Sequence, residues 1–251
     1  MSFLASAVLI GRIRTTPTAP EPTGASLWSN ARAGVSYVLG DPYLRAGLGC
    51  VTTVNFFTFL AQALIVLFAS RTLDLPAGVI GLAFGAGAVG GLFGALLAPR
   101  LSRRFGVGRM IVLGAVLFPA PIAAIALADG SRWVAGSVLA AAELVSSAGV
   151  MLLDINLNSL QTAVVPDRMR SRVAGAFGTI NYGVRPLGAI TGGLLGGWIG
   201  LRPTLLIAAI GGSLCFLWLL PSPIPKLRTL NDLVTDRCET VERPTSRAPS
   251  D

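Results

Sequence analysis

The feature that most constrains this chain is a series of long runs without a charged side chain. Ala46–Ser70, Leu75–Pro99, Met110–Ala128 and Pro203–Pro225 contain no Asp, Glu, Lys or Arg. Two more runs carry one charge each: Trp133–Leu153 contains Glu143, and Val173–Leu201 contains Arg185. A bilayer core about 30 Å thick needs roughly 20 helical residues to cross it, and each run supplies them. Helices buried inside a soluble globule are the alternative. Six of them in 251 residues would leave almost no polar shell: 53% of the residues are hydrophobic and only 13% charged, where soluble domains carry about 25%. The runs are unbroken, as in Leu64-Ile65-Val66-Leu67-Phe68. Membrane-barrel strands alternate apolar and polar residues, whereas a helix satisfies its own backbone in lipid. The expected fold class is all-α: a polytopic membrane protein of six transmembrane helices.

The same pattern narrows the function classes. A net charge of +8 suggests nucleic acid until the basic residues are located, because they sit in short clusters between the apolar runs. With six spans, one side holds Arg12, Arg14, Arg32, Arg45, Arg100, Arg103, Arg104, Arg109, Arg168, Arg170, Arg172, Lys226, Arg228, Arg237, Arg243 and Arg247; the other holds Arg71, Arg132 and Arg202. The positive-inside rule makes the first side cytoplasmic, so both termini are expected there, in a cell membrane. The charge is then explained by topology and anionic lipid, with no nucleic-acid partner. There is no histidine, and Cys50, Cys215 and Cys238 have no paired spacing. No metal centre, cofactor or enzyme is expected. No G-x-x-x-x-G-K-[ST] loop occurs either.

The ends read differently. Residues 1–14 are apolar and then basic, too short to span, and look like the end of a truncated preceding helix. Residues 15–43 form a cytoplasmic linker: Pro17, Pro20 and Pro22 break it. Leu27–Leu39 then has helical apolar spacing and is closed by Asp41-Pro42. The six-helix domain runs over 44–225, and 226–251 is expected to be a disordered tail.

Two segments between spans carry a family resemblance. RLSRRFGVGR (Arg100–Arg109) is similar to the loop signature G-x-L-x-D-R-x-G-R-R, with Arg104, Gly106 and Arg109 fitting, Arg103 in place of the Asp and Pro99 in place of the first Gly. NSLQTAVVPDRMRSRV (Asn158–Val173) is similar to an N-x-x-Q…P-D-x-x-R-G-R-V loop, with Ser171 in place of Gly. Together with PLGAITGGLLGG (Pro186–Gly197), they resemble the C-terminal half of a major facilitator superfamily transporter. The macrolide and enterobactin exporters are the subgroup they look like most. The resemblance implies helices seven to twelve, built as two inverted three-helix repeats. It also implies alternating access and efflux of a small molecule by proton exchange. The first half is absent from it, so a missing N-terminal half or a second copy is the expected partner, beside lipid, substrate and H+. The alternative is a non-transporting membrane component or an inactive half-transporter.

Few residues inside the spans can carry chemistry. Glu143 and Arg185 are the intramembrane charges, and a lone charge there is expensive unless it finds a partner or a cavity. They are expected to pair as a structural brace; the alternatives are a proton-coupling or substrate-binding role for Glu143, and snorkelling or lipid exposure. Asn181 and Tyr182 stand beside Arg185, and Asn55 and Gln62 share a face of the first span; all are candidate transport contacts, although amides in membranes often only join helices. Asp154, Asn158 and Gln161 make a polar stripe at the cytoplasmic end of the fourth span. With Arg100, Arg104, Arg109 and Arg172 they are candidate gate or loop residues. Glycines at four-residue spacing, Gly81/Gly85, Gly87/Gly91, Gly90/Gly94 and Gly188 to Gly200, are expected at helix contacts. Pro119 and Pro121 are expected to kink the third span.

Overall fold

The computed structural model describes residues 27–229, and among them the regular elements are helical. The truncated-helix reading of 1–14 lies outside the described residues, as does most of the expected tail. Helix α1 (Leu27–Gly40) is followed by α2 (Pro42–Arg71). Asp41 separates them: its carboxylate accepts from the backbone N–H groups of Tyr43 (2.9 Å) and Leu44 (3.2 Å). Pro42 fits the first helical position, where no N–H is needed. Helix α3 (Ala77–Phe105) ends at Gly106, whose φ of 94° favours glycine. Helices α4 (Val107–Leu117) and α5 (Pro121–Leu127) form one bent unit, broken over 118–120. The two prolines there lack the N–H groups a continuous helix would use. Helix α6 (Arg132–Val164), α7 (Arg170–Trp198) and α8 (Leu201–Ser213) follow, and Leu214–Trp218 extends α8 as a 3-10 turn.

Five of these units are long and apolar enough to cross a membrane: α2, α3, Val107–Leu127, α6 and Leu201–Trp218. Helix α7 has 29 residues but is not among them. Asn181, Tyr182, Arg185 and Pro186, with many glycines and few large side chains, make it less apolar than the rest.

Two close pairs dominate the packing, α3 with α6 and α2 with α7. Helix α4 packs on α6, α8 on α2, and α5 on α8. Helices α6 and α7, although consecutive, make almost no direct contact. Buried side chains gather into two clusters, one near each end of the bundle. Val38, Leu44, Ile111, Leu157 and Val173 belong to the first, and Phe68, Ile80, Ile125, Leu139 and Leu205 to the second.

Glycine sets both close pairs. A Cβ on Gly90 would lie 2.1 Å from Leu144 O, and one on Gly94 2.8 Å from Ala148 Cα. On the other pair, a Cβ on Gly188 would lie 2.3 Å from Phe56 O and one on Gly192 2.3 Å from Leu60 O. Not every expected glycine is used in this way. Gly81 and Gly85 meet nothing within 4 Å, and Gly200 is a turn residue at φ 91°.

Two boundaries differ from the sequence reading. Arg100, Arg103 and Arg104 are helical, in the last turns of α3, and Arg109 is in the first turn of α4; the link between the two helices is Gly106 alone. Arginine is a good helix former, so the helix continues until a residue with positive φ ends it. The start of the tail is also ordered. Val107 N and Gly108 N, orphan donors at the head of α4, donate to Arg228 O (3.2 Å) and Leu227 O (3.1 Å). Ile224 and Leu227 are buried against the first cluster.

Candidate functional site

Helices α6 and α7 carry many of the polar residues singled out in the sequence, and they make almost no direct contact with each other. Near the connection between them a pocket of about 260 Å³ is lined by Asn158, Gln161 and Thr162 of α6, by Val165, and by Arg170, Val173 and Ala174 of α7. The stripe Asp154, Asn158, Gln161 keeps one face because α6 runs unbroken to Val164. Asp154 and Asn158 are exposed and Gln161 is half-buried. The nearby arginines do not bond to this stripe. Arg170 pairs with Asp167 (3.0 Å) and donates to Thr162 O (3.3 Å), and Arg172 lies against Met169 Sδ (3.9 Å). Arg100 and Arg104 are exposed; Arg100 donates to Leu96 O (3.5 Å), and the guanidinium of Arg104 lies over Phe105. Arg109 is exposed as well.

Arg185 stands midway along α7. Its guanidinium carbon lies 4.8 Å from the ring centre of Phe59 on α2 and 4.5 Å from that of Tyr182. Its Nε is buried without a hydrogen-bond partner, as is Asn181 Oδ1 one turn before it. On α2, Asn55 is buried and donates to Val51 O (2.9 Å), whereas Gln62 is exposed. The shared face of Asn55 and Gln62 is therefore covered at one end and open at the other.

The expected Glu143–Arg185 pair does not form. Glu143 has its Cβ beside Gly87 of α3, on the face of α6 that the glycines draw inward. Arg185 is on a helix held against α2, so the two charges belong to different helix pairs. Arg185 interacts electrostatically with Asp154 of α6, and among the described residues it forms no ion pair. Sequence spacing placed Glu143 and Arg185 on consecutive helices, but consecutive helices are not packed together here.

Asn156 is the residue the sequence reading missed. It is 3% exposed, donates from Nδ2 to Leu152 O (2.8 Å), and accepts from Ser102 Oγ of α3 (2.6 Å). The available signal was its place in the apolar stripe Leu152, Leu153, Leu157, Leu160, where an amide needs a partner across the interface. At the opposite end of the bundle Arg132 pairs with Asp74, and Arg202 with Asp129 (3.7 Å) and Ala128 O (3.0 Å).

This arrangement of apolar spans and polar helix faces can be set beside known proteins. The family model described as Major Facilitator Superfamily matches residues 1–189 and, in a second register, 48–245. The chain belongs to the major facilitator superfamily. It is accordingly a multi-pass membrane protein of a transporter family. No curated protein and no solved structure matches it.

Proposed function

We propose that this superfamily member is one six-span half of a secondary transporter, the C-terminal half, moving a small molecule outward in exchange for protons. Helix α7 is the sixth span, and its polar residues belong to the substrate path. The packing pattern supports the repeat. If α2, α3 and α4–α5 form one triplet and α6, α7 and α8 the other, the first helix of each pairs with the second helix of the other, and the third helices meet through α5 and α8. The second helix of each triplet supplies glycines spaced by four, Gly90/Gly94 and Gly188/Gly192, against the backbone of its partner. Inverted repeats of this kind build each superfamily half, and the two halves are themselves repeats. The two overlapping registers of the family match agree with that.

The observation that carries the transport reading is that α6 and α7, which bear Asp154, Asn158 and Gln161 on one side and Asn181 and Arg185 on the other, follow each other in the chain and yet make almost no direct contact. Alternating access needs such a polar seam inside an apolar body. The test is reconstitution into liposomes loaded with a pH-sensitive dye, followed by addition of a panel of small organic acids, bases and neutral compounds. A compound that moves and drives a proton flux of the opposite sense, absent from empty liposomes, is the expected result. No movement of any compound would favour the non-transporting alternative.

A further inference from the structure

Arg185 sets a chemical requirement on whatever binds beside it. Ring faces attract a guanidinium but accept none of its five N–H donors. Here Phe59 and Tyr182 take the faces. Nε is shut away without an acceptor, and no described residue accepts a hydrogen bond from the terminal nitrogens. Asp154 contributes its field and no direct ion pair. A buried donor left in the state of Nε is costly, and a planar fork whose terminal nitrogens are uncommitted matches a carboxylate with two parallel bonds.

We propose that Arg185, backed by Phe59 and Tyr182, anchors the substrate, and that the substrate class is an organic monoanion: a carboxylate on an apolar or aromatic body. The rings that hold the guanidinium also offer the body a stacking surface; Tyr182 is 65% exposed and able to do so. A single guanidinium balances a single negative charge, and among the described residues no second cation takes part in the ring contacts that hold it. This inference uses the transport reading only in calling the ligand a substrate; the binding site stands without it.

The test is equilibrium binding of radiolabelled 1-naphthoate to the full chain in phosphatidylcholine nanodiscs, with 1-naphthamide and inorganic phosphate as competitors. Naphthoate is expected to bind at least about tenfold more tightly than the neutral amide, the scale of one charge-assisted hydrogen bond, and phosphate to compete weakly. Arg185→Gln should lose that preference, Arg185→Lys should keep part of it, and Tyr182→Ala should weaken binding severalfold. Tyr182→Ala reads the same site at an exposed ring if Arg185→Gln fails to fold. Equal binding of acid and amide, or binding unchanged in both Arg185→Gln and Tyr182→Ala, would overturn the proposal. So would loss of naphthoate binding when phosphatidylglycerol replaces phosphatidylcholine, which would assign Arg185 to a lipid headgroup. Intact binding without any transport in liposomes would count against the transporter reading alone.

Discussion

A Cβ on Gly90 would sit 2.1 Å from Leu144 O, while one on Gly81 would meet nothing within 4 Å. Both glycines lie in α3 and both belong to four-residue repeats, so the sequence made them look alike. Their substitutions are expected to part company. Gly90→Ala must push α3 and α6 apart and should cost about 1–3 kcal/mol, the range for overpacking. Gly81→Ala should be neutral or stabilise slightly, because alanine is the better helix former. Thermal unfolding in detergent measures both; equal losses would mean that α3 does not lean on α6 at Gly90. A similar division separates the charges. Glu143→Gln and Arg185→Gln are expected to add within about 0.5 kcal/mol, as non-contacting sites do. Asp154→Asn combined with Arg185→Gln should depart from additivity. A strong Glu143–Arg185 coupling in these double-mutant cycles would restore the pair that residue spacing alone suggested. The sequence could name the charges, since a carboxylate or guanidinium inside an apolar run is conspicuous. Which charges stand near each other depends on helix pairing, and periodicity carries no record of that. Asn156 was illegible for the opposite reason: it hides in a leucine stripe, and only its neighbour Ser102 explains it.

At the scale of elements, apolar run length located each long helix but not its ends. Helix α6 extends past Leu153 to Val164 because charge and amides at its exposed face do not interrupt a helix. Helix α3 likewise runs through its arginines to Gly106. The bend between α4 and α5 was legible because proline acts locally, wherever it stands. The docking of Ile224–Arg228 on α4 was not legible. A short segment reading Ile-Pro-Lys-Leu-Arg looks like the start of a linker until the orphan amides of α4 are seen to need its carbonyls. Those amides give a direct measurement. Hydrogen exchange should find Val107 and Gly108 protected in the full chain and exposed when the chain is cut after Pro223. Unchanged protection would mean that another acceptor, or simple burial, shields the head of α4.

The whole molecule has two unlike ends, and that difference predicts its orientation in the membrane. At one end stand Arg45, Arg100, Arg103, Arg104, Arg109, Arg168, Arg172, Lys226 and Arg228, among which the described residues form no ion pair. At the other end two of the three arginines, Arg132 and Arg202, are matched by Asp74 and Asp129. Each unpaired cation near an anionic leaflet is favoured by about 1 kcal/mol, and translocating such a cluster is opposed in proportion, so the first end should remain cytoplasmic. The chain holds a reporter for this. Cys50 and Cys215 are fully buried, which leaves Cys238, ten residues beyond Arg228 in the sequence, as the thiol for an impermeant maleimide. With Cys50 and Cys215 replaced by alanine, Cys238 should stay unlabelled in intact cells and become labelled in inside-out vesicles. Labelling in intact cells would reverse the orientation, and labelling in both would mean a mixed population. Changing Arg100, Arg103, Arg104 and Arg109 together to glutamine then tests the cause. If charge sets the orientation, a fraction of Cys238 becomes accessible from outside. If the fraction stays at zero, the apolar spans and the remaining basic residues hold the orientation without that cluster.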